Sequence, residues 1–119
     1  MIQQFSIREM SIAHVSQVVD IDRRSYAVPW SREDVIRHKR CPQIGSLLVC
    51  DPRDVVGFAV YQWRGSEIMI HRIAVRPDAR RSGVGAMLIE KMKTKVVVQS
   101  RTWLRCVVDL DAAPALFFL

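Results

Sequence analysis

Apolar and polar residues alternate along this chain with two different periods. Residues 6–10 carry apolar side chains at Ile7 and Met10 and read as a short strand. Ile12, Val15, Val18, Val19 and Ile21 or Asp22 then recur at helical spacing behind Ser11, a good helix cap, so a helix is expected over 12–24. Tyr26-Ala27-Val28-Pro29-Trp30 breaks it, because proline lacks an N–H and disfavours helix in the residue before it. Ser31-Arg32-Glu33-Asp34 has an acid three places after a serine, the pattern of a capping box, and predicts a short basic helix to about residue 40.

Strand patterning follows over 45–50, 55–63 and 67–75, separated by turns at Asp51-Pro52-Arg53-Asp54 and Arg64-Gly65-Ser66. A helix is expected over 83–98, with Val84, Met87, Leu88 and Met92 on one face. A strand over 103–108 and a helix from Asp111 to the last residue complete the order β-α-α-β-β-β-α-β-α. Hairpin-linked strands before a strand–helix–strand crossover predict an α/β mixed sheet with helices on its faces. The whole of 1–119 reads as one domain. The apolar end Leu116-Phe117-Phe118-Leu119 offers no helix cap, so the domain is expected to be incomplete at its C-terminus, short of an edge hairpin.

Half of the 119 residues are hydrophobic and 25% are charged, as in an ordinary globular protein able to bury a core without staples. No apolar run is long enough to span a bilayer, and the N-terminus lacks a secretory pattern. Cys41, Cys50 and Cys106 are an odd set without metal-ligand spacing, which favours reduced thiols, no metal and a cytoplasmic setting. A net charge of +6 suits nucleic acid, an anionic cofactor or an acidic protein surface. Nucleic-acid binding would call for aromatics interleaved with lysine and arginine; the basic helix 31–40 has none beyond Trp30 at its mouth. Arg72, Arg76, Arg80 and Arg81 instead crowd one segment.

That segment, Ile73-Ala74-Val75-Arg76-Pro77-Asp78-Ala79-Arg80-Arg81-Ser82-Gly83-Val84-Gly85-Ala86, ends a strand and opens a helix at two glycines. A helix start leaves backbone N–H groups unpaired and carries partial positive charge. Glycine lets a phosphate approach that backbone, and Arg80 and Arg81 add full charges, so the segment reads as a diphosphate cradle. A glycine pair also opens helices that bind nothing; the strand before it and the paired arginines argue against that here. No Gly-Lys-Ser/Thr follows, and the third glycine of a dinucleotide-binding turn is missing.

Arg80-Arg81-Ser82-Gly83-Val84-Gly85 resembles the Gln/Arg-x-x-Gly-x-Gly/Ala signature of GNAT acyltransferases, and Ile-Ala-Val-x-Pro resembles the end of that family's fourth strand. Tyr26-Ala27-Val28-Pro29-Trp30-Ser31 is similar to the Pro-Trp-Ser segment of the RimI-like protein N-terminal acetyltransferases, which modify ribosomal proteins. Asp111-Ala112-Ala113-Pro114-Ala115-Leu116-Phe117-Phe118 is similar to their Asn-x-x-Ala-x-x-Leu-Tyr helix. The resemblance implies a mostly antiparallel sheet with a splayed parallel strand pair and helices on both faces. It implies acetyl-CoA as co-substrate, its pyrophosphate on the amides of Arg81 to Ala86 and its pantetheine along Ile73, Ala74 and Val75, with Asp111 near by. The acceptor would be a primary amine, most simply a protein or peptide N-terminus, with Tyr26, Pro29 and Trp30 in the substrate loop.

Two departures bear on the chemistry. The family's base aligns with Cys106 and its acid tyrosine with Phe118, and phenylalanine has no proton to give. Strand alternation puts 69, 71 and 73 on one face, which makes His71 a candidate base and Glu67 a second. The plainer reading of His71 is a surface or packing group, and that of the Tyr26 and Tyr61 phenols is core or loop packing. An alternative is a catalytically weak acyl-CoA-binding remnant.

Overall fold

The computed structural model describes residues 4–98 and 103–106. Its elements are β1 (Ser6–Arg8), a 3-10 turn (Ile12–His14), α1 (Val15–Arg23), α2 (Arg32–Arg40), β2 (Ile44–Cys50), β3 (Val55–Arg64), β4 (Glu67–Val75), a second 3-10 turn (Pro77–Ala79), α3 (Val84–Val98) and β5 (Trp103–Cys106). The strands form one sheet in the order β1-β2-β3-β4-β5. The first three pairings are antiparallel, and β4 pairs β5 in parallel through the α3 crossover.

The sheet separates two apolar layers. Val15, Val18 and Ile21 of α1 and Val35 of α2 pack on Leu48, Phe58, Val60 and Ala74. Val84, Leu88 and Met92 of α3 pack on Leu47, Val49, Ala59, Ile68, Ile70, Ile73 and Val75 of the other face. Burying apolar side chains on both faces is why these strands read as apolar runs rather than clean alternation. Gly57 sets the approach of α3: a Cβ there would lie 2.8 Å from Val84 Cγ1 and 3.2 Å from the Ala74 carbonyl oxygen.

The helix starts follow local chemistry. Ser31 Oγ accepts the Asp34 N–H at 3.1 Å, and Asp34 Oδ2 accepts the Ser31 N–H at 2.9 Å, the reciprocal capping box. The helix expected over 12–24 divides instead into a 3-10 turn and α1, because the Ser11 N–H donates to His14 Nδ1 at 3.1 Å and tightens the first turn. Ile12, counted as a buried position of that helix, is 50% exposed. Asp22, not an apolar residue, completes the buried stripe.

β4 also departs from simple alternation. Val60 lies opposite Arg72 and Tyr61 opposite Ile70, so His71 is the extra residue of a β-bulge. Ile68 and Ile70 face α3 before the bulge, and Ile73 and Val75 face α3 after it. His71 and Arg72 both turn toward α1 and α2, which corrects the expectation that 69, 71 and 73 share a face. The expected strand end at 107–108 and the final helix lie outside the described residues.

Candidate active site

The loop from β4 to α3 is built from unusual backbone. The Arg76 N–H closes on the Val56 carbonyl at 2.7 Å, and Pro77 opens the 3-10 turn. Ser82 Oγ donates to the Ala79 carbonyl. Arg81 has φ 65° and Gly83 φ 91°, so the chain enters the left-handed region twice before α3 begins. A Cβ at Gly83 would meet nothing within 4 Å, so open space lies in front of that turn. The Met87 N–H donates to the Gly83 carbonyl at 3.0 Å, so the α3 ladder closes just past the amides of Ser82 to Ala86. The first amides of a helix, preceded by a glycine-bearing left-handed turn with open space in front of it, suit an anion, and the residues present fit a diphosphate.

Arg80, at the head of that loop, is held by two hydrogen bonds. Its Nε donates to the Val75 carbonyl at 3.0 Å and its Nη2 to Ser25 Oγ at 3.4 Å. It therefore ties the end of β4 to the end of α1.

The β4 edge beside this loop is also engaged. The Ile73 N–H donates to Tyr26 Oη at 3.3 Å, and Tyr26 O–H donates to the Ile73 carbonyl at 3.0 Å. Tyr26 and Arg80 thus cover the groups of Ile73 and Val75 that face away from β3. Described pairing with β5 stops at Ile70 opposite Cys106, while β4 continues to Val75.

Tyr26 is held by a buried ionic and aromatic stack. The Arg72 guanidinium lies 4.0 Å over the Tyr26 ring and 4.8 Å over Trp30. Arg72 Nη2 donates to the Val28 carbonyl at 2.8 Å, and Arg72 Nε lies 3.4 Å from Asp22 Oδ1. Asp22 Oδ2 accepts the Trp30 N–H at 2.7 Å. Burial pushes the Asp22 carboxyl up from its ordinary value, opposed by the Trp30 hydrogen bond and the Arg72 charge. Trp30 stacks on His38 at 4.0 Å, and His38 meets His71 edge-on at 6.0 Å.

The model of the acetyltransferase (GNAT) family matches residues 15–118. The [ribosomal protein bS18]-alanine N-acetyltransferase of Salmonella typhimurium is 30% identical over 116 residues, covering 94% of this chain and 76% of that protein. The chain belongs to the GNAT acetyltransferase family. It is accordingly an acetyl-CoA-dependent N-acetyltransferase. Solved GNAT structures agree with the fold. Ard1 from Thermoplasma volcanium superposes with a TM-score of 0.83 at 26% identity, covering 96% of this chain and 78% of that one. The ribosomal-protein-S18-alanine N-acetyltransferase from Escherichia coli gives a TM-score of 0.80 at 23% identity, covering 96% and 74%. The paia N-acetyltransferase of Thermoplasma acidophilum, solved with coenzyme A, gives 0.79 at 15% identity, covering 97% and 86%. Among the described residues, no helix is long and apolar enough to cross a membrane.

Within this GNAT chain some of the candidate residues read from the sequence gather at one end of β4. Tyr26 and Trp30 meet Arg72 beside Ile73, and the loop of Arg80 to Ala86 begins one strand end away. His71 Nε2 lies 2.8 Å from Gln62 Oε1. An amide oxygen only accepts, so this nitrogen carries the proton and Nδ1 keeps a lone pair. Burial, then the charges of His38 and Arg64, lowers the His71 pKa and keeps the ring neutral. Glu67 sits at the far end of β4, opposite Arg64 at the hairpin. Tyr61 packs over Gly45 on the α3 face, and burial pushes its phenol up to about 12, so it stays neutral there. Cys106 stands opposite Ile70, while Asp111 and Phe118 lie outside the described residues. Sequence reasoning missed Asp22, Ser25, His38 and Arg72 as partners in the site. The signal available for Asp22 was a carboxylate at a core position of a helix, which native folds keep only when it is paired.

Proposed function

We propose that this GNAT enzyme acetylates the N-terminal α-amine of a protein or peptide by direct attack within a ternary complex. The amides of Arg81 to Ala86 would hold the pyrophosphate of acetyl-CoA, and the edge of Ile73, Ala74 and Val75 its pantetheine arm. Acetyl-CoA, when bound, supplies an activated acyl carbon with a thiolate leaving group. The observation that carries the reading is the left-handed turn of Arg81 and Gly83, with open space before Gly83, at the start of α3 and beside the outward edge of β4.

The chain's own groups supply the rest. His71 is neutral, has a free Nδ1 lone pair, and is two residues from Ile73 on the face that carries Tyr26 and Trp30. It is the better base for taking a proton from the acceptor ammonium, through a water; Glu67 sits at the hairpin end, further from Ile73. Pro29 and Trp30, with Val28 72% exposed beside them, form the wall along which an acceptor peptide lies. The identity with the Salmonella bS18-alanine enzyme favours a ribosomal protein N-terminus as acceptor.

Calorimetry with acetyl-CoA tests the first half, and thiol release with N-terminal peptides the second. Binding with turnover on Ala-leading peptides, and little on lysine side-chain amines, is expected. No heat on folded protein would refute the site. Binding without turnover on any amine would leave the weak acyl-CoA-binding remnant that Cys106 and Phe118 favour.

A further inference from the structure

The backbone of Ile73 is engaged at both its N–H and its C=O by one hydroxyl, that of Tyr26. The direction of the site shows what stands there. The anion seat lies just past Val75, at residues 81–86. A pantetheine chain laid along β4 from that seat reaches Val75 first and Ile73 second. Its thioester end therefore comes to Ile73, where Tyr26 Oη is. The phenol is 8% exposed and comes from the acceptor side of the sheet. Arg72, fixed by Asp22 and the Val28 carbonyl, lies over its ring and holds it in place.

The chain contains two tyrosines. Tyr61 is buried on the opposite face of the sheet, against α3. The position where the family carries its acid tyrosine is Phe118. We propose that Tyr26 is the catalytic acid of this enzyme, delivering its hydroxyl proton to the departing thiolate from the α1–α2 loop. This rests on the acetyl-CoA placement given under the proposed function.

In the empty site the Tyr26 proton is donated to the Ile73 carbonyl. A pantetheine amide that takes this carbonyl frees the proton for sulfur, while the Ile73 N–H stays within reach of the phenol oxygen. In the transfer the acceptor nitrogen forms the new C–N bond and the C–S bond breaks. The sulfur takes the proton of Tyr26, and the phenolate recovers one from the newly acylated nitrogen. Nothing is oxidised or reduced, and the phenol is regenerated.

Two measurements test this. In the first, Tyr26→Phe is compared with wild type by calorimetry with acetyl-CoA and by thiol release. An acetyl-CoA Kd within about twofold of wild type and a kcat lower by about 100-fold are expected, the low end for a positioned proton donor because a thiolate leaves readily. The solvent deuterium isotope effect on kcat should fall with it. Unchanged kcat, with or without tighter acetyl-CoA binding, overturns the proposal and shows the hydroxyl only covering the β4 edge. In the second, which does not depend on turnover or on the variant folding, the wild-type sequence is produced with 3-fluorotyrosine. Saturating acetyl-CoA should move the fluorine resonance of Tyr26 and leave that of Tyr61 in place. Calorimetric binding with no response at Tyr26 overturns the proposal alone, whereas no binding at all overturns the acetyl-CoA site beneath it.

Discussion

Asp22 and Arg72 meet as an ion pair, Oδ1 to Nε at 3.4 Å, with side chains 0% and 11% exposed. One lies in the last turn of α1 and the other beside the β4 bulge, so the pair joins the end of α1 to β4. The bulge makes this possible. It turns Arg72 and His71 toward the same face, where an unbroken strand would send them to opposite faces.

Removing one partner of this pair should destabilise the fold sharply. Asp22→Ala leaves the Arg72 guanidinium buried without a counter-charge and the Trp30 N–H without its acceptor. A loss of about 3–5 kcal/mol is expected from breaking such a pair. Replacing both, with Asp22→Leu and Arg72→Met together, should recover most of it, because the desolvation of both charges is removed as well. Urea unfolding of the single and double variants measures both. A single-variant loss under about 1 kcal/mol would mean the pair does not hold the loop.

Gly57 makes a second prediction because it governs how α3 sits. A side chain there meets Val84, a stiff β-branched residue, and the backbone oxygen of Ala74, neither of which yields easily. Gly57→Ala should destabilise by about 1–3 kcal/mol, as overpacking does. It should also weaken acetyl-CoA binding, since Val84 opens the helix whose amides form the seat. Thermal unfolding and calorimetry on one preparation separate the two effects. A variant with wild-type stability and affinity would show that α3 does not depend on this contact.

Much of this arrangement was legible in the sequence, for identifiable reasons. The capping box at Ser31, the hairpin turns and the helix start at Gly83 are local chemistry, and their residue types announce them. The left-handed turn before α3 was legible because such backbone favours glycine. The bulge at His71 was not, because no local residue type demands it; it reflects how β4 fits against β3 and the two layers. The role of Arg80 was missed because a charge count does not say where a long side chain lies, and this one is taken up by Val75 and Ser25. Tyr26 on Ile73 joins residues 47 apart in sequence, which no spacing rule reaches.

Gly83 separates backbone conformation from steric fit. Its φ of 91° is strained for any residue with a Cβ, yet a Cβ there would touch nothing. Gly83→Ala should therefore destabilise by about 1–3 kcal/mol through strain alone. The relaxed turn would misdirect the amides, so acetyl-CoA affinity should fall by more than the stability change accounts for. Arg81 also has a positive φ, so Arg81→Gly should lose the charge without adding strain. A calorimetric series in which Gly83→Ala binds as wild type does would remove the turn from the binding site.

His71 should leave a mark on the pH dependence of stability. Burial, with His38 and Arg64 near by, lowers its folded pKa below the ordinary histidine value. The native state then refuses a proton that the unfolded chain accepts near pH 6.5 and below. The unfolded state binds more protons in that window, so stability rises with pH through it and falls as pH drops. His71→Asn removes this contribution. Between about pH 7.5 and about pH 5.5, urea unfolding should show wild type losing more stability than the variant does. Equal losses would place His71 in a solvated position with an ordinary histidine pKa.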